Sequence, residues 1–339
     1  MKNKIVRSIA VYPELRRKFM DYIGGVRELP EGFSKRKLFY DYLKVRRQNP
    51  GRRVSMSEYM IFGFYERGLV EQQSFLTDVE ATLLMRPYNS ESELYLKDKM
   101  RFLKTFSEFI SRDWLYLPEA SLDEFRAFAA KHPVMALKPP KSSWGIGFRR
   151  LDASEYSDLG ALYCQLREQG CLAEEFLCSD PELAKYHPAS LNTLRIITFR
   201  SGNRFGVFGA GLRVGNNGRS VDNAHGGGIF CEIDRNTGVV ATDGLDECGN
   251  YYKTHPLTGE SFKGQRIPHF HEAVELCRAA SMKLDCLRVV GWDVAVLPGG
   301  KLELIEGNHN PGMNIVQAPA KHGVRGRFTS MLADYYSGF

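Results

Sequence analysis

Val289-Val290-Gly291-Trp292-Asp293-Val294-Ala295-Val296, a Leu-Pro-Gly-Gly turn at 297–300, and Lys301-Leu302-Glu303-Leu304-Ile305-Glu306-Gly307-Asn308-His309-Asn310-Pro311-Gly312 decide how this sequence is read. Two apolar runs flank a turn rich in Pro and Gly, the pattern of a β-hairpin. Asp293 falls within the first strand. Glu306 and Asn308 fall at the exit of the second, and residues two apart on a strand point to the same side. Asn310-Pro311-Gly312 stops that strand. Three oxygen-bearing side chains therefore meet at one end of an apolar hairpin. Two carboxylates and an amide oxygen suit Mg²⁺, a hard cation that keeps positions open for water and phosphate. One acid in such a place is most often a surface charge; an acid facing Glu-x-Asn across a hairpin points to a metal set.

Outward from the hairpin, His271 to Leu284 is amphipathic and predicts the helix that feeds it. A final helix is expected from Arg325 to Tyr336. Asn192 to Arg200 and Phe205 to Val214 predict two long strands, with Arg195 and Arg213 set among apolar residues. An arginine in a buried strand is costly unless it meets an anion. Each is therefore a structural ion-pair partner or an anion-binding group. Residues 221–228 read as a polar loop and 244–267 as a long loop.

Further upstream, Cys171 to Leu177 predicts a strand ending in paired acids beside an aromatic, and Asp180-Pro181-Glu182-Leu183 a loop or short helix. Ser154 is expected to cap a helix through Gln169, with Gly170 as its stop. Val134 to Lys138 predicts a strand ending in a lysine, then the Gly/Ser loop 141–147 and a short strand from Phe148 to Leu151. Such a loop can offer backbone N–H groups to a phosphate chain. It is not a Walker A loop, and a plain turn is the default. Ser121-Leu122-Asp123-Glu124 fits a capping box that opens a helix to Lys131. Glu91 to Ile110 reads as one amphipathic helix. Before it lie shorter helices, from Ser34 to Asn49 and from Ser57 to Arg67.

Of the 339 residues, 43% are hydrophobic and 25% charged, which places the chain among ordinary globular proteins. No apolar run approaches the roughly 18 residues of a membrane span. The opening Met1-Lys-Asn-Lys-Ile-Val-Arg lacks the apolar core of a signal peptide. Seven cysteines form no C-x-x-C pair, so reduced, mostly buried thiols in a cytoplasmic protein are expected, and a zinc site is not. The net charge of +6 is unevenly placed: residues 1–53 hold 15 Lys and Arg against 5 Asp and Glu. A basic segment can meet nucleic acid, an anionic membrane surface or an acidic substrate, or form only solvated helix faces. No RNA-binding aromatic signature or DNA-reading motif accompanies the charge, so nucleic acid is not expected.

Asp98-Lys99 on a helix, Lys138 before a Gly/Ser loop, Glu174-Glu175-Phe176-Leu177, and Asp293 with Glu306-x-Asn308 resemble, in this order and spacing, the ATP-grasp superfamily. Ser190-Leu191-Asn192-Thr193-Leu194-Arg195-Ile196, Val221-Asp222-Asn223 and Gly307-Asn308-x-Asn310-Pro311-Gly312 narrow the resemblance to the sugar-transfer-associated ATP-grasp proteins, which are linked with polysaccharide biosynthesis. The resemblance covers residues 91–325. It implies an α+β fold of two subdomains clasping ATP, behind a mainly helical N-terminal region. The expected division is 1–90 for that region, 91–178 for the subdomain with the lysines and a mobile loop, and 179–339 for the subdomain with the magnesium site.

The resemblance also assigns roles. Lys99 and Lys138 match the lysines that grip the phosphates. Ser142, Ser143, Gly145 and Gly147 match the loop over the triphosphate. Glu174, Glu175, Phe176 and Leu177 match the hinge that reads adenine, and Glu182, or Asp180, would reach the ribose. Asp293, Glu306 and Asn308 match the magnesium ligands. Arg195 and Arg213 would then be catalytic, facing the γ-phosphate or an acyl phosphate. Trp144 departs from the smaller residues common in the loop, and Asn223 and His225 have no assigned role.

The implied activity is an ATP- and Mg²⁺-dependent carboxylate–amine ligase working through an acyl phosphate. Its context would be capsule or other surface polysaccharide, with a uronic-acid sugar and an amine or amino acid as substrates. The basic N-terminal segment is compatible with an anionic or lipid-linked glycan. Two alternatives use the same ATP groups: a kinase phosphorylating a sugar-related hydroxyl, and a nucleotide-binding subunit without turnover.

Overall fold

In the computed structural model, which describes residues 2–139, 147–216 and 227–337, the chain begins as helices. They are α1 (Lys2–Ile23), α2 (Lys35–Gln48), α3 (Met56–Ile61), α4 (Leu69–Gln72) and α5 (Asp78–Asn89). Ser34 caps α2 as expected, its oxygen accepting from the Lys37 N–H. The helix expected over 57–67 is shorter. A Ser55/Glu58 capping box starts it early, and it ends at Phe62 before a 3₁₀ turn, Phe64–Glu66. Phe62 and Phe64 both pack on Phe75, with ring centroids 4.9 and 5.6 Å away. Residues two apart cannot share one face of a regular helix, so the turn is what lets both rings enter the core.

The single helix expected over 91–110 is also broken. It runs as α6 (Glu93–Leu96) and α7 (Lys99–Thr105), then a 3₁₀ turn. Asp98 leaves the helical region, at φ −88° and ψ 115°, and its carboxylate accepts from the Arg101 N–H. A capping acid thus restarts the helix, and Lys99 becomes its first residue.

A small antiparallel sheet follows: β1 (Trp114–Tyr116), α8 (Leu122–Lys131), β2 (Val134–Lys138), β3 (Arg149–Asp152), α9 (Leu159–Glu168) and β4 (Leu172–Glu175), in strand order β1-β4-β2-β3. The Ser121/Glu124 capping box opens α8 as predicted. Ser154 does not cap α9. Residues 153–155 form a 3₁₀ turn, and Asp158 accepts from the N–H groups of Gly160 and Ala161 instead. Phe125, Met135, Leu137, Leu166 and Ala173 fill the core of this lobe.

The rest is built on a seven-stranded antiparallel sheet. After α10 (Pro181–Ala184) come β5 (Thr193–Ser201), β6 (Arg204–Val214), β7 (Ile229–Ile233), β8 (Gly244–Leu245) and β9 (Tyr251–Tyr252). Then α11 (Phe270–Met282) leads into β10 (Val289–Val296) and β11 (Leu302–Asn308), and α12 (Arg325–Tyr336) closes the chain. The strand order is β11-β10-β5-β6-β7-β8-β9. The stretch expected as a long loop therefore holds two short strands. One sheet face packs Trp292, Ile196 and Leu212 against α11. The other packs Phe199, Phe208 and Val289 against Phe19, Phe39 and Tyr59 of the N-terminal helices, Phe75 of the α4–α5 connection and Phe328 of α12. The cysteines are unpaired, and Cys164 and Cys178 are exposed, not buried. Among the described residues, no helix is long and apolar enough to cross a membrane.

Candidate active site

The hairpin positions its oxygens through an irregularity. Asp293 pairs with Glu306 and Gly291 with Asn308, but Val294 pairs with Leu304, so Ile305 is an extra residue in β11. This β-bulge resets the alternation of sides. Glu303, opposite Ala295, thereby shares a face with Glu306, three residues on. Asn308 donates from Nδ2 to Glu306 Oε1 at 3.3 Å.

Arg195 lies directly across from Asp293 on β5 and grips it with both Nε and Nη2, the latter at 2.9 Å. Arg213, from the next strand, donates Nη1 to Asp293 Oδ2 at 2.9 Å. Glycines make room here. A Cβ at Gly291 would sit 2.6 Å from Pro311 Cβ and 3.3 Å from Arg195 Cδ. Burial alone would raise the Asp293 carboxyl, but the two guanidiniums overcome it and hold it down to about 2. Glu306 faces the open cleft, yet burial and the neighbouring Asp293 charge push its carboxyl up.

A second charged group sits across the cleft. Lys138, at the end of β2, pairs with Glu174 of β4. Arg112 bridges Glu174 at 3.2 Å and Glu303 at 2.8 Å. Burial would raise the Glu174 carboxyl, and Arg112 and Lys138 instead hold it at about 2. Burial lowers the Lys99 ammonium, which stands near Glu306, Lys138 and Glu174.

These groups line one cleft of about 940 Å³. Its walls include Lys99, Lys138, Glu174, Glu175, Phe176 and Leu177, together with Arg195, Arg213, Asp293, Glu306 and Asn308. Glu182 is elsewhere, paired with Lys185 on the surface. Gly147 has φ +79° and packs on Pro139, off the cleft wall; the adjacent Phe148 is on it. Ser142, Ser143, Gly145 and the 221–226 segment with Asn223 and His225 lie outside the described residues.

Sequence reasoning missed Arg112 and the contribution of the N-terminal helices. Tyr22, Ser57 and Asp78 line the same cleft. No motif marks them, since each is brought in by the packing of helices on the large sheet. The Ser190-Leu191-Asn192 phrase proves to be a brace. The Asn192 amide donates to the carbonyls of Leu183 and His187 at 2.8 and 3.1 Å, and the Gly215 N–H donates to Asn192 Oδ1 at 3.2 Å. It fixes the start of β5 to the end of β6, the two strands that carry the arginines.

No curated protein gives a significant match. Among solved structures, the chain is similar to the ATP-grasp ligase PsnB complexed with minimal precursor, Mg and ADP: 14% identity, a TM-score of 0.46, covering 79% of this chain and 69% of that one. It is similar to D-alanyl-alanine synthetase A from Vibrio cholerae at 9% identity and a TM-score of 0.44, covering 74% and 67%. It is also similar to the N5-carboxyaminoimidazole ribonucleotide synthetase purK, as its ADP complex, at 10% identity and a TM-score of 0.43, covering 71% of this chain and 53% of that chain. Likenesses this distant carry no function. The sequence model described as "Sugar-transfer associated ATP-grasp" matches residues 156–332, just over half of the chain. The chain therefore belongs to the sugar-transfer-associated ATP-grasp family.

Proposed function

We propose that this protein is an ATP-dependent carboxylate–amine ligase that works through an acyl phosphate and joins an amine or amino acid to a uronic-acid sugar in surface-polysaccharide biosynthesis. One observation carries the reading: two lysines, a hinge strand and the Asp293/Glu306/Asn308 oxygens face one cleft between the two sheets. The donor set fits magnesium, being hard oxygen throughout. Asp293 already accepts both guanidiniums, so a cation there shares it with Arg195 and Arg213. Asp293, Glu306 and Asn308 would hold magnesium, which supplies charge neutralisation for the β- and γ-phosphates.

The chain's own groups account for the rest. Lys99 and Lys138 are compact cations for phosphate oxygens. The hinge 174–177 would hold the adenine. A carboxylate oxygen attacks the γ-phosphorus and the bond to ADP breaks; the amine then attacks the acyl carbon, loses a proton and expels phosphate. Arg195 and Arg213, both on the cleft wall, would face the transferring phosphoryl, and positioning with electrostatic stabilisation would supply most of the rate. Exposed cations of α2, Lys35, Arg36, Lys37 and Lys44, support an anionic or lipid-linked glycan substrate.

The test is release of ADP and phosphate from Mg-ATP, with amino acids and amines crossed against uronic-acid sugars, and mass spectrometry of the products. A product equal in mass to both substrates less one water, formed with ADP and phosphate, is expected. A product that gains one phosphoryl group without free phosphate would make the protein a kinase. ATP binding without any product across these pools would favour the non-catalytic reading.

A further inference from the structure

Four charged side chains form a line from β11 to the lysine at the end of β2: Glu303, Arg112, Glu174 and Lys138. Arg112 meets Glu174 through Oε1, and Lys138 meets it through Oε2, so each carboxylate oxygen has its own cation. Arg112 is fixed from the other side. It donates Nη1 to Glu303 Oε1 at 2.8 Å and to the Leu304 carbonyl at 2.9 Å, and Nη2 to the carbonyl of the bulged Ile305 at 3.2 Å. Ser111 holds Glu303 in turn, through its N–H at 2.9 Å and its hydroxyl at 2.5 Å. The Arg112 side chain is 2% exposed and that of Lys138 22%. Arg112 is thus a fixed cation and Lys138 an accessible one on the cleft wall.

We propose that Arg112 is a positioning residue for nucleotide binding: anchored on β11, it holds the Glu174 charge and so lets Lys138 turn to a phosphate without leaving a buried carboxylate bare. A buried carboxylate with no counter-charge is strongly disfavoured. Without Arg112, Glu174 keeps Lys138 for itself, and the phosphate loses that cation. Because Arg112 also holds the Ile305 carbonyl, the grip on the nucleotide is tied to the bulge that aims Glu306. This inference rests on the nucleotide-binding part of the reading above and not on which substrate is phosphorylated.

The test is calorimetric titration of Mg-ATP into the full-length protein. Arg112→Met is expected to weaken binding about tenfold or more. Adding Glu174→Gln, which removes the carboxylate that would retain Lys138, is expected to bring affinity back to within about threefold of Glu174→Gln alone. A residue that only fills space would give no such rescue. Arg112→Met also leaves Glu303 buried without its cation and can fail to fold. The pair Arg112→Gln with Glu303→Gln removes both charges together and should show the same loss and the same rescue by Glu174→Gln. Wild-type affinity in the Arg112 variants, or a rescue variant no tighter than its parent, overturns the proposal. A wild-type protein that binds no Mg-ATP removes the nucleotide reading itself, and this inference with it.

Discussion

Asp293 is 3% exposed and accepts hydrogen bonds from two arginines on two different strands. Removing its charge takes that counter-charge from Arg195 and Arg213, and breaking a buried ion pair from one side typically costs about 3–5 kcal/mol. Asp293→Asn is expected to lose stability on that scale, read as a fall in the urea midpoint. Glu306 differs, because it faces the cleft and, among the described residues, no arginine is hydrogen-bonded to it. Glu306→Gln should unfold at the wild-type midpoint or above it, since burial and the Asp293 charge disfavour its charged form, and lose turnover; near-normal turnover would take Glu306 out of the metal set. Glu174 sets a pH dependence. Its folded value is depressed from 4.5 to about 2, so its contribution is fully present above the unfolded value and is lost as pH falls toward the folded one. Between about pH 5 and 2, wild-type stability should fall more steeply than that of Glu174→Gln, with the full contribution on the order of 3 kcal/mol. Urea titrations at stepped pH measure the difference; parallel slopes would mean that Arg112 and Lys138 do not hold the charged form.

The hairpin was legible from its alternation and its Pro-Gly turn, but its bulge was not. A strand read by strict alternation puts Glu303 and Glu306 on opposite sides. The extra Ile305 puts them on one side, where Glu303 serves Arg112 and Glu306 faces the cleft. Asn89 ends α5 and pins this hairpin to it. Its amide donates to the carbonyls of Val289 and His309, both at 2.6 Å, and its oxygen accepts from the Val289 N–H at 3.1 Å. Asn89→Ala leaves the Val289 groups unpaired in a buried place and the His309 carbonyl in a half-buried one, and each buried loss costs about 1–3 kcal/mol. A destabilisation of at least about 3 kcal/mol is expected, with loosened hydrogen-exchange protection at 289. Unchanged protection there would mean that the strand is held by its sheet neighbours alone.

At the scale of the molecule, the N-terminal helices are part of the large lobe's core. Phe19, Phe39, Tyr59 and Phe75 share one cluster with Phe199, Phe208 and Val289 of the sheet. A fragment of residues 91–339 would open that face of the sheet to water, and an apolar area this large is an aggregation surface. It is expected to be insoluble or to lack a cooperative thermal transition, whereas a soluble, cooperatively folding fragment would show that 1–90 is a separable unit. The same packing brings Tyr22, Ser57 and Asp78 to the cleft. Neither their spacing nor their type announced this.

What the sequence determined by itself was local. Ser34, the Ser121/Glu124 box and the two apolar runs around 297–300 set helix starts and a hairpin, because caps and alternation act within a few residues. The order of Lys99, Lys138, Glu174, Asp293, Glu306 and Asn308 pointed to the family before any contact was known. Tertiary structure decided who neutralises whom. Arg195 and Arg213 were read as buried cations in need of an anion, but only strand order makes that anion Asp293. Arg112, in a segment with no motif, became the link between the two lobes because Glu303 and Glu174 arrive from separate sheets. The cost of burying charge is fixed by residue type; the partner that offsets it lies more than sixty residues away and is chosen by the fold.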